Sequence, residues 1–258
     1  MRTLMALTTL ALILATSTMA LADTVTADFE NGVNHGNWTF YGWTEGINPS
    51  GGNPDGWFAS GYYWAFWPVF QCETGAADFT GDYVAMGVTR LSGDFTTPLC
   101  ENPGANDWPF TVLLRNDMGT PNIEDDVYVY PDPFNWLIPQ IGEGWTHYDF
   151  DIPSDFVGAL GELPAGWLGG SYISGGDVFP SDVTFQDVLS NVTTVEFHWN
   201  HPAYFTFDTG WEVGADNVTI SQADTGAGGN ILAGNDGQAN VVASVRTIDD
   251  AAATGATN

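Results

Sequence analysis

The sequence predicts an all-β protein, an antiparallel β-sandwich of the jelly-roll type with one short helix, and three observations predict it. Apolar and polar residues alternate over short runs, the period of strands that bury one face. The runs are broken by Gly, Pro, Asn and Asp, and the chain holds 31 Gly and 14 Pro in 258 residues, which supply turns. Finally, 11 Trp, 9 Tyr and 16 Phe require a sizeable core, which one domain of this length can provide.

The elements follow in chain order. Residues 1–22 read as a signal peptide: Arg2 is the positive start, Leu4 to Ala15 are apolar, and Ala20-Leu21-Ala22 presents small residues to a peptidase cutting before Asp23. The apolar run is short for a membrane span, so export is expected, with a secreted, extracellular protein as the outcome. Residues 23–223 have the texture of a β-sandwich domain. Val25, Ala27 and Phe29 alternate within Thr24–Glu30, and Val84, Met86 and Val88 within Tyr83–Leu91. Phe110, Val112 and Leu114 form one face of the next run, and Tyr148, Phe150 and Ile152 one face of Trp145–Ile152. Val195, Phe197 and Trp199 alternate with Thr194, Glu196 and His198, and Val218 with Ile220 closes the series. Only Ser181–Val192 departs: Phe185, Val188, Leu189 and Val192 recur at helical spacing, with Ser181 or Thr184 as cap. Residues 224–258 contain no aromatic residue and are rich in Ala, Gly, Asn, Thr and Asp, so a flexible low-complexity tail is expected there.

Charge excludes whole classes of partner. Four Arg and no Lys stand against 32 Asp and Glu, a net charge of −28. Such a surface repels phosphate backbones and anionic headgroups, so neither nucleic acid nor an anionic membrane surface is a partner. Dense carboxylates suit saline surroundings, or surroundings rich enough in calcium to neutralise them.

Cys72 and Cys100 are the only cysteines. In an oxidising compartment they are expected to form one disulfide, with two buried free thiols as the alternative.

Several clusters carry possible chemistry. Between Trp57 and Phe70 lie Trp57, Phe58, Tyr62, Tyr63, Trp64, Phe66, Trp67 and Phe70, more than one strand can bury on one side. Flat aromatic faces stack on the apolar faces of sugars, so Trp57, Tyr62, Tyr63, Trp64 and Trp67 are the candidate ligand platform, the rest filling core or covering an edge. Glu124-Asp125-Asp126, and Asp149 with Asp151 beside His147, could pair as the two carboxyls of a glycosidase, but among so many acids a solvated surface accounts for them. Glu196, His198 and His201 have metal-ligand chemistry without a further ligand that the sequence can name, and read as polar residues at a strand end. No nucleophile elbow, phosphate loop or dinucleotide fingerprint occurs, and no catalytic residue is assigned.

Taken together, several phrases resemble a known group. Asp28-Phe29-Glu30-Asn31-Gly32 followed by Trp38-Thr39 resembles the first strand of secreted carbohydrate-binding-module-like jelly rolls, and Gly214-Ala215-Asp216-Asn217-Val218-Thr219-Ile220 resembles their last. Phe79–Tyr83, Gly142–Trp145, Leu163–Trp167 and Asp187–Val192 are similar to phrases of exported bacterial proteins of unknown function, a group distantly similar to laminin domain IV. The similarity runs from Phe29 to Ile220. It implies a sandwich, export, and a structural Ca2+ tying first strand to last through Glu30, Asp216 and backbone carbonyls. The expected function is non-catalytic binding of a polysaccharide or other extracellular polymer. A matrix or protein-interaction module is the alternative, and a glycan-cleaving enzyme on the same fold the weaker one.

Overall fold

The computed structural model describes residues 23–41, 46–73, 75–76, 78–171, 177–202 and 206–223. The expected leader (1–22) and tail (224–258) lie outside the described residues. Two antiparallel sheets face each other across an aromatic core, the sandwich that the alternating runs predict.

The strands are β1 (Thr24–Ala27), β2 (Thr39–Phe40), β3 (Gly46–Asn48), β4 (Trp57–Ala59), β5 (Tyr63–Ala65), β6 (Val69–Glu73), β7 (Val88–Cys100) and β8 (Thr111–Asn116). They continue with β9 (Val127–Pro131), β10 (Trp145–Asp151), β11 (Trp167–Ser171), β12 (Thr194–His198) and β13 (Thr209–Gln222). The first sheet has the order β10-β7-β13-β4-β3, with β1 and β5 also paired to β13; the second has the order β11-β9-β8-β12-β6-β2. β13 is therefore the hub of the first sheet, with β7 along one edge and β1, β4 and β5 along the other.

Strand alternation sends Phe95, Phe110, Phe197 and Trp199 between the sheets, all with no solvent exposure. Their rings meet in tilted or edge-on pairs, Phe95–Phe197 at 4.7 Å, Phe95–Phe110 at 4.9 Å and Phe110–Trp199 at 5.0 Å. Such pairs add about 0.5–1.5 kcal/mol each beyond their area burial. At the other flank Trp38 stacks on Phe70 at 5.0 Å, and Phe40 and Phe58 close against the same ring.

The helical spacing near Ser181 produces α2 (Phe185–Leu189), which buries Phe185, Val188 and Leu189 against β8 and β9. Thr184 forms a capping box with Asp187, so two orphan donors of the first turn are satisfied reciprocally.

Two expectations are corrected. The alternating residues from Tyr83 do not start a strand: Tyr83–Met86 is a helical turn, α1. The Asp82 carboxylate accepts from the Ala85 amide at 2.9 Å, and Gly87 ends the turn at φ 64, so strand geometry begins only at Val88. The Cys72–Cys100 disulfide is not formed; both are buried free thiols. Cys72 lies on the inner face of β6, within electrostatic reach of Tyr83 in α1. Cys100 ends β7, whose other end adjoins α1, and a strand of that length spans roughly 40 Å. Sequence separation did not reveal that the two thiols lie toward opposite ends of the sandwich.

Candidate functional site

The outward face of the second sheet carries a groove of about 680 Å³. Its floor follows from the same alternation that builds the core. Residues flanking each buried position point outward: Val69 and Gln71 from β6, Leu113 and Arg115 from β8, Tyr128 from β9, Glu196 and His198 from β12. The rim adds Tyr41, Trp64, Phe66, Trp67, Ile123 and Asp208. Tyr41 is 72% exposed and Trp64 55%, so their rings stand free at the opening.

The floor is polar and charged, and its groups are bound to one another. Arg115 lies between two carboxylates, Nη1 to Asp126 at 3.1 Å and Nη2 to Glu196 at 3.2 Å, and Nη2 also donates to the Thr194 hydroxyl at 3.1 Å. Burial works against the Glu196 charge, yet the His198 hydrogen bond and the Arg115 guanidinium hold its carboxyl below the usual range. Asp126 goes the other way: burial pushes its carboxyl up, with Arg115 only partly offsetting this. His198 Nε2 lies 2.8 Å from Glu196 Oε2, and the Trp67 indole N–H donates to His198 Nδ1 at 3.1 Å. One connected network thus runs from Asp126 to the rim indole.

The five candidate platform residues do not form one surface. Tyr63, Trp64 and Trp67 line the groove, Tyr63 as an almost fully buried part of its wall. Tyr62 does not line the groove, though its hydroxyl contacts the Trp64 indole while donating to Glu101 at 2.8 Å. Trp57 belongs to the first sheet, edge-on to Trp145 at 5.5 Å, with its N–H donating to the Ser50 carbonyl at 3.1 Å. Phe58 and Phe70 are core. Arg115, Gln71, Leu113 and Tyr128 were missed by sequence reasoning. An arginine at an outward strand position of a chain with four cations was the signal that could have marked the floor.

The acidic candidates separate as well. Asp149 and Asp151 pair with Arg90, at 3.5 and 3.4 Å, on the outer face of the first sheet. Glu124 sits in an exposed 3-10 turn. His201 does not join Glu196 and His198; it is buried beside Asp177, 3.7 Å away.

Glu30 and Asp216 do come close to one loop. β13 slips register against β7 between Asp216 and Thr219, with Asn217 at φ 50, and this bulge turns the Asp216 carboxylate toward residues 52–56. Asp216 is fully buried and accepts from the Asn53 and Asn217 amides at 2.6 and 2.8 Å. Glu30 accepts from the Gly56 amide at 3.0 Å. Burial, together with the charges of Asp94 and Glu30, pushes the Asp216 carboxyl up to about 7. A β-carbon at Gly52 would lie 2.5, 2.8 and 2.9 Å from Gly56 O, Asp216 Oδ2 and Asp55 O. Oxygen donors of this kind fit a hard divalent cation. Among the described residues no three His, Cys, Asp or Glu converge on one point, so such an ion would depend on carbonyls.

No protein family matches the chain, and no curated protein matches it. Several solved structures are similar. A family 11 carbohydrate-binding module from Clostridium thermocellum, in complex with a beta-1,3-1,4-mixed-linked tetrasaccharide, has a TM-score of 0.41 at 15% identity, over 79% of this chain and 98% of its own. A carbohydrate-binding module specific for non-crystalline cellulose, CBM28, has a TM-score of 0.32 at 14% identity, over 74% of this chain and 90% of its own. An exo-beta-agarase has a TM-score of 0.41 at 14% identity over 76% of this chain; this chain spans 25% of the agarase.

Proposed function

We propose that the protein is an exported, non-catalytic β-sandwich that binds a neutral polysaccharide in the groove of its second sheet. The groove itself carries the reading: the exposed rings of Trp64 and Tyr41 and the half-buried ring of Trp67 stand over a floor of hydrogen-bonding side chains. Sugars offer the same two surfaces, an apolar ring face and a girdle of hydroxyls. The sole floor cation, Arg115, is already neutralised by two carboxylates, so an anionic glycan would find repulsion from Asp208 and Glu196 instead of a counter-charge.

Binding without cleavage is favoured by the state of the carboxylates. A glycosidase acid must hold its proton near neutral pH; Glu196 on the groove floor is held below its ordinary range, and Asp126, whose carboxyl burial raises, is bonded to Arg115 and does not line the groove. Export is supported by the leader-type sequence of residues 1–22, and a mature mass beginning at Asp23 tests it. Calcium at Glu30 and Asp216 is the remaining part of the proposal, supported by the buried carboxylate and the carbonyls beside it. Chelator should lower the melting temperature of the wild type and leave Glu30→Gln unmoved.

The deciding experiment is calorimetric and affinity-gel binding to soluble β-glucan, xylan, agarose and a soluble cellulose derivative. Binding lost in Trp64→Ala and Trp67→Ala, without release of reducing sugar, is expected. Retained binding in both variants would move the site elsewhere, and failure with every glycan would transfer the rim to a protein partner.

A further inference from the structure

Trp67 is half-buried at the groove rim, its ring 6.5 Å from that of Phe66, and its Nε1–H donates to His198 Nδ1 at 3.1 Å. An indole nitrogen can only donate, so His198 Nδ1 must offer a lone pair. On the other side of the imidazole, Nε2 lies 2.8 Å from a carboxylate oxygen of Glu196, which can only accept while ionised. Both bonds exist together in one protonation state alone, the neutral imidazole with its hydrogen on Nε2. A second proton would go to Nδ1 and set two donors face to face across the Trp67 contact. The Glu196 bond would survive, since Nε2–H donates to it in either state.

We infer that His198 is a positioning residue for Trp67, holding the indole in the groove only as the neutral Nε2–H tautomer, so that one proton on Nδ1 releases the ring. Glu196 meets Nε2, and Arg115 of β8, backed by Asp126, holds the far oxygen of Glu196 at 3.2 Å. His201, beyond the end of β12, faces Asp177 and Asp132 and also lies within electrostatic reach of His198. From β6, Val69 stands opposite His198, and the neutral Gln71 opposite Glu196 is tied to Glu73 at 2.7 Å. From β9 and the opposite wall, Tyr128, Tyr63 and Asp208 line the same groove. The His198 side chain is only 7% exposed, so bulk water does not replace the lost acceptor freely.

The affinity consequence rests on the glycan-binding reading; the positional one does not. Losing one anchoring hydrogen bond under a stacking ring should weaken glycan binding about three- to tenfold.

The test follows the Trp67 indole N–H cross-peak in 1H–15N spectra of the ligand-free full chain, assigned by its absence in Trp67→Phe. In the wild type it should move along a one-proton curve between pH 8 and 5. His198→Asn puts an amide oxygen where Nδ1 stood, cannot gain a proton, and should hold the peak fixed. His198→Phe should place the peak at its acid position at every pH, and if that variant does not fold the Asn variant still decides. A wild-type Trp67 peak that stays fixed over this range overturns the inference, as does a peak that moves equally in His198→Asn. Soluble β-glucan, xylan and agarose are then titrated at both pH values. A moving peak with no binding to any of them leaves the positioning role standing and removes the glycan reading.

Discussion

Replacing Arg115 by methionine should be the most damaging single change on the outer face of the second sheet. The guanidinium is 15% exposed, and its two partners are 6% and 8% exposed, with contacts of 3.1 and 3.2 Å. The variant keeps the aliphatic packing and leaves Asp126 and Glu196 as buried charges without a counter-ion. Breaking a buried pair in this one-sided way costs about 3–5 kcal/mol, because the remaining charge has lost water and gained nothing. With a urea slope near 2 kcal/mol/M, the midpoint should fall by about 1.5–2.5 M. Removing the two acids as well, in Arg115→Met with Asp126→Asn and Glu196→Gln, should restore most of that loss, since a neutral triad has no charge to bury. The sign with pH follows from the carboxylates. Glu196 is depressed in the folded state, so the stability it contributes is present at neutral pH and lost as pH falls through its lowered value. Asp126 is raised, so its ionised form costs stability at neutral pH and the cost disappears in acid. In Arg115→Met both acids lose the guanidinium, Glu196 keeping only its His198 hydrogen bond, and the penalty should shrink steadily from pH 7 to pH 4 as they take up protons. A penalty below about 1 kcal/mol at pH 7 would refute the reasoning, because surface pairs behave that way. So would a penalty that is the same at pH 4.

Three other outcomes are expected. Gly214→Ala would push a β-carbon to 2.2 Å from the Trp57 ring, so stability should fall by about 1–3 kcal/mol and the Trp57 fluorescence should shift; unchanged melting would mean that the ring moves aside freely. Thr184→Ala removes one half of the capping box on α2 and should cost about 1 kcal/mol, while Thr184→Ser should be nearly silent in the same unfolding assay. Two thiols should react with a colorimetric disulfide reagent after unfolding without reductant, and Cys72, whose thiol burial pushes up to about 12, should not react in the folded protein; a count of zero would restore the disulfide.

What could be read from the sequence was whatever one face of one strand decides. β10 was legible because it alternates buried and exposed residues within a single short run, and β8 and β12 because their inward positions are apolar, although their outward residues are almost all buried too. Tyr83–Met86 has the same alternation, but Asp82 and Gly87 flank it with helix caps, and two capping contacts outweighed a weak period-two pattern. The Trp57–Phe70 segment was visible as an aromatic excess, yet its residues disperse to the core, the groove and the opposite sheet. Their destinations depend on which strand each short piece pairs with, and β4 and β5 find their partner in β13, well over a hundred residues later. The groove floor was out of reach for the same reason. Gln71, Arg115, Tyr128 and Glu196 become neighbours only through the β6-β12-β8-β9 order of the second sheet. Glu196 and His198 did stand out, but their partners turned out to be an arginine and an indole.

The position of β13 at the end of the sandwich has a kinetic consequence. β1 and β5 pair with no other described strand, and β7 meets β4 only through it. During synthesis, or during passage through a narrow pore, the first sheet therefore has no centre until Thr209–Gln222 has emerged. The contact between β1 and β13 closes a loop of nearly the whole domain, a connection that forms slowly because the chain entropy is lost before the contact forms. The second sheet, whose strands all precede Thr209, can pair first, and the first sheet is then completed around β13. Deleting residues from Thr209 onward should leave the first sheet unassembled, while removing β1 alone should leave β7, β13 and β4 able to pair.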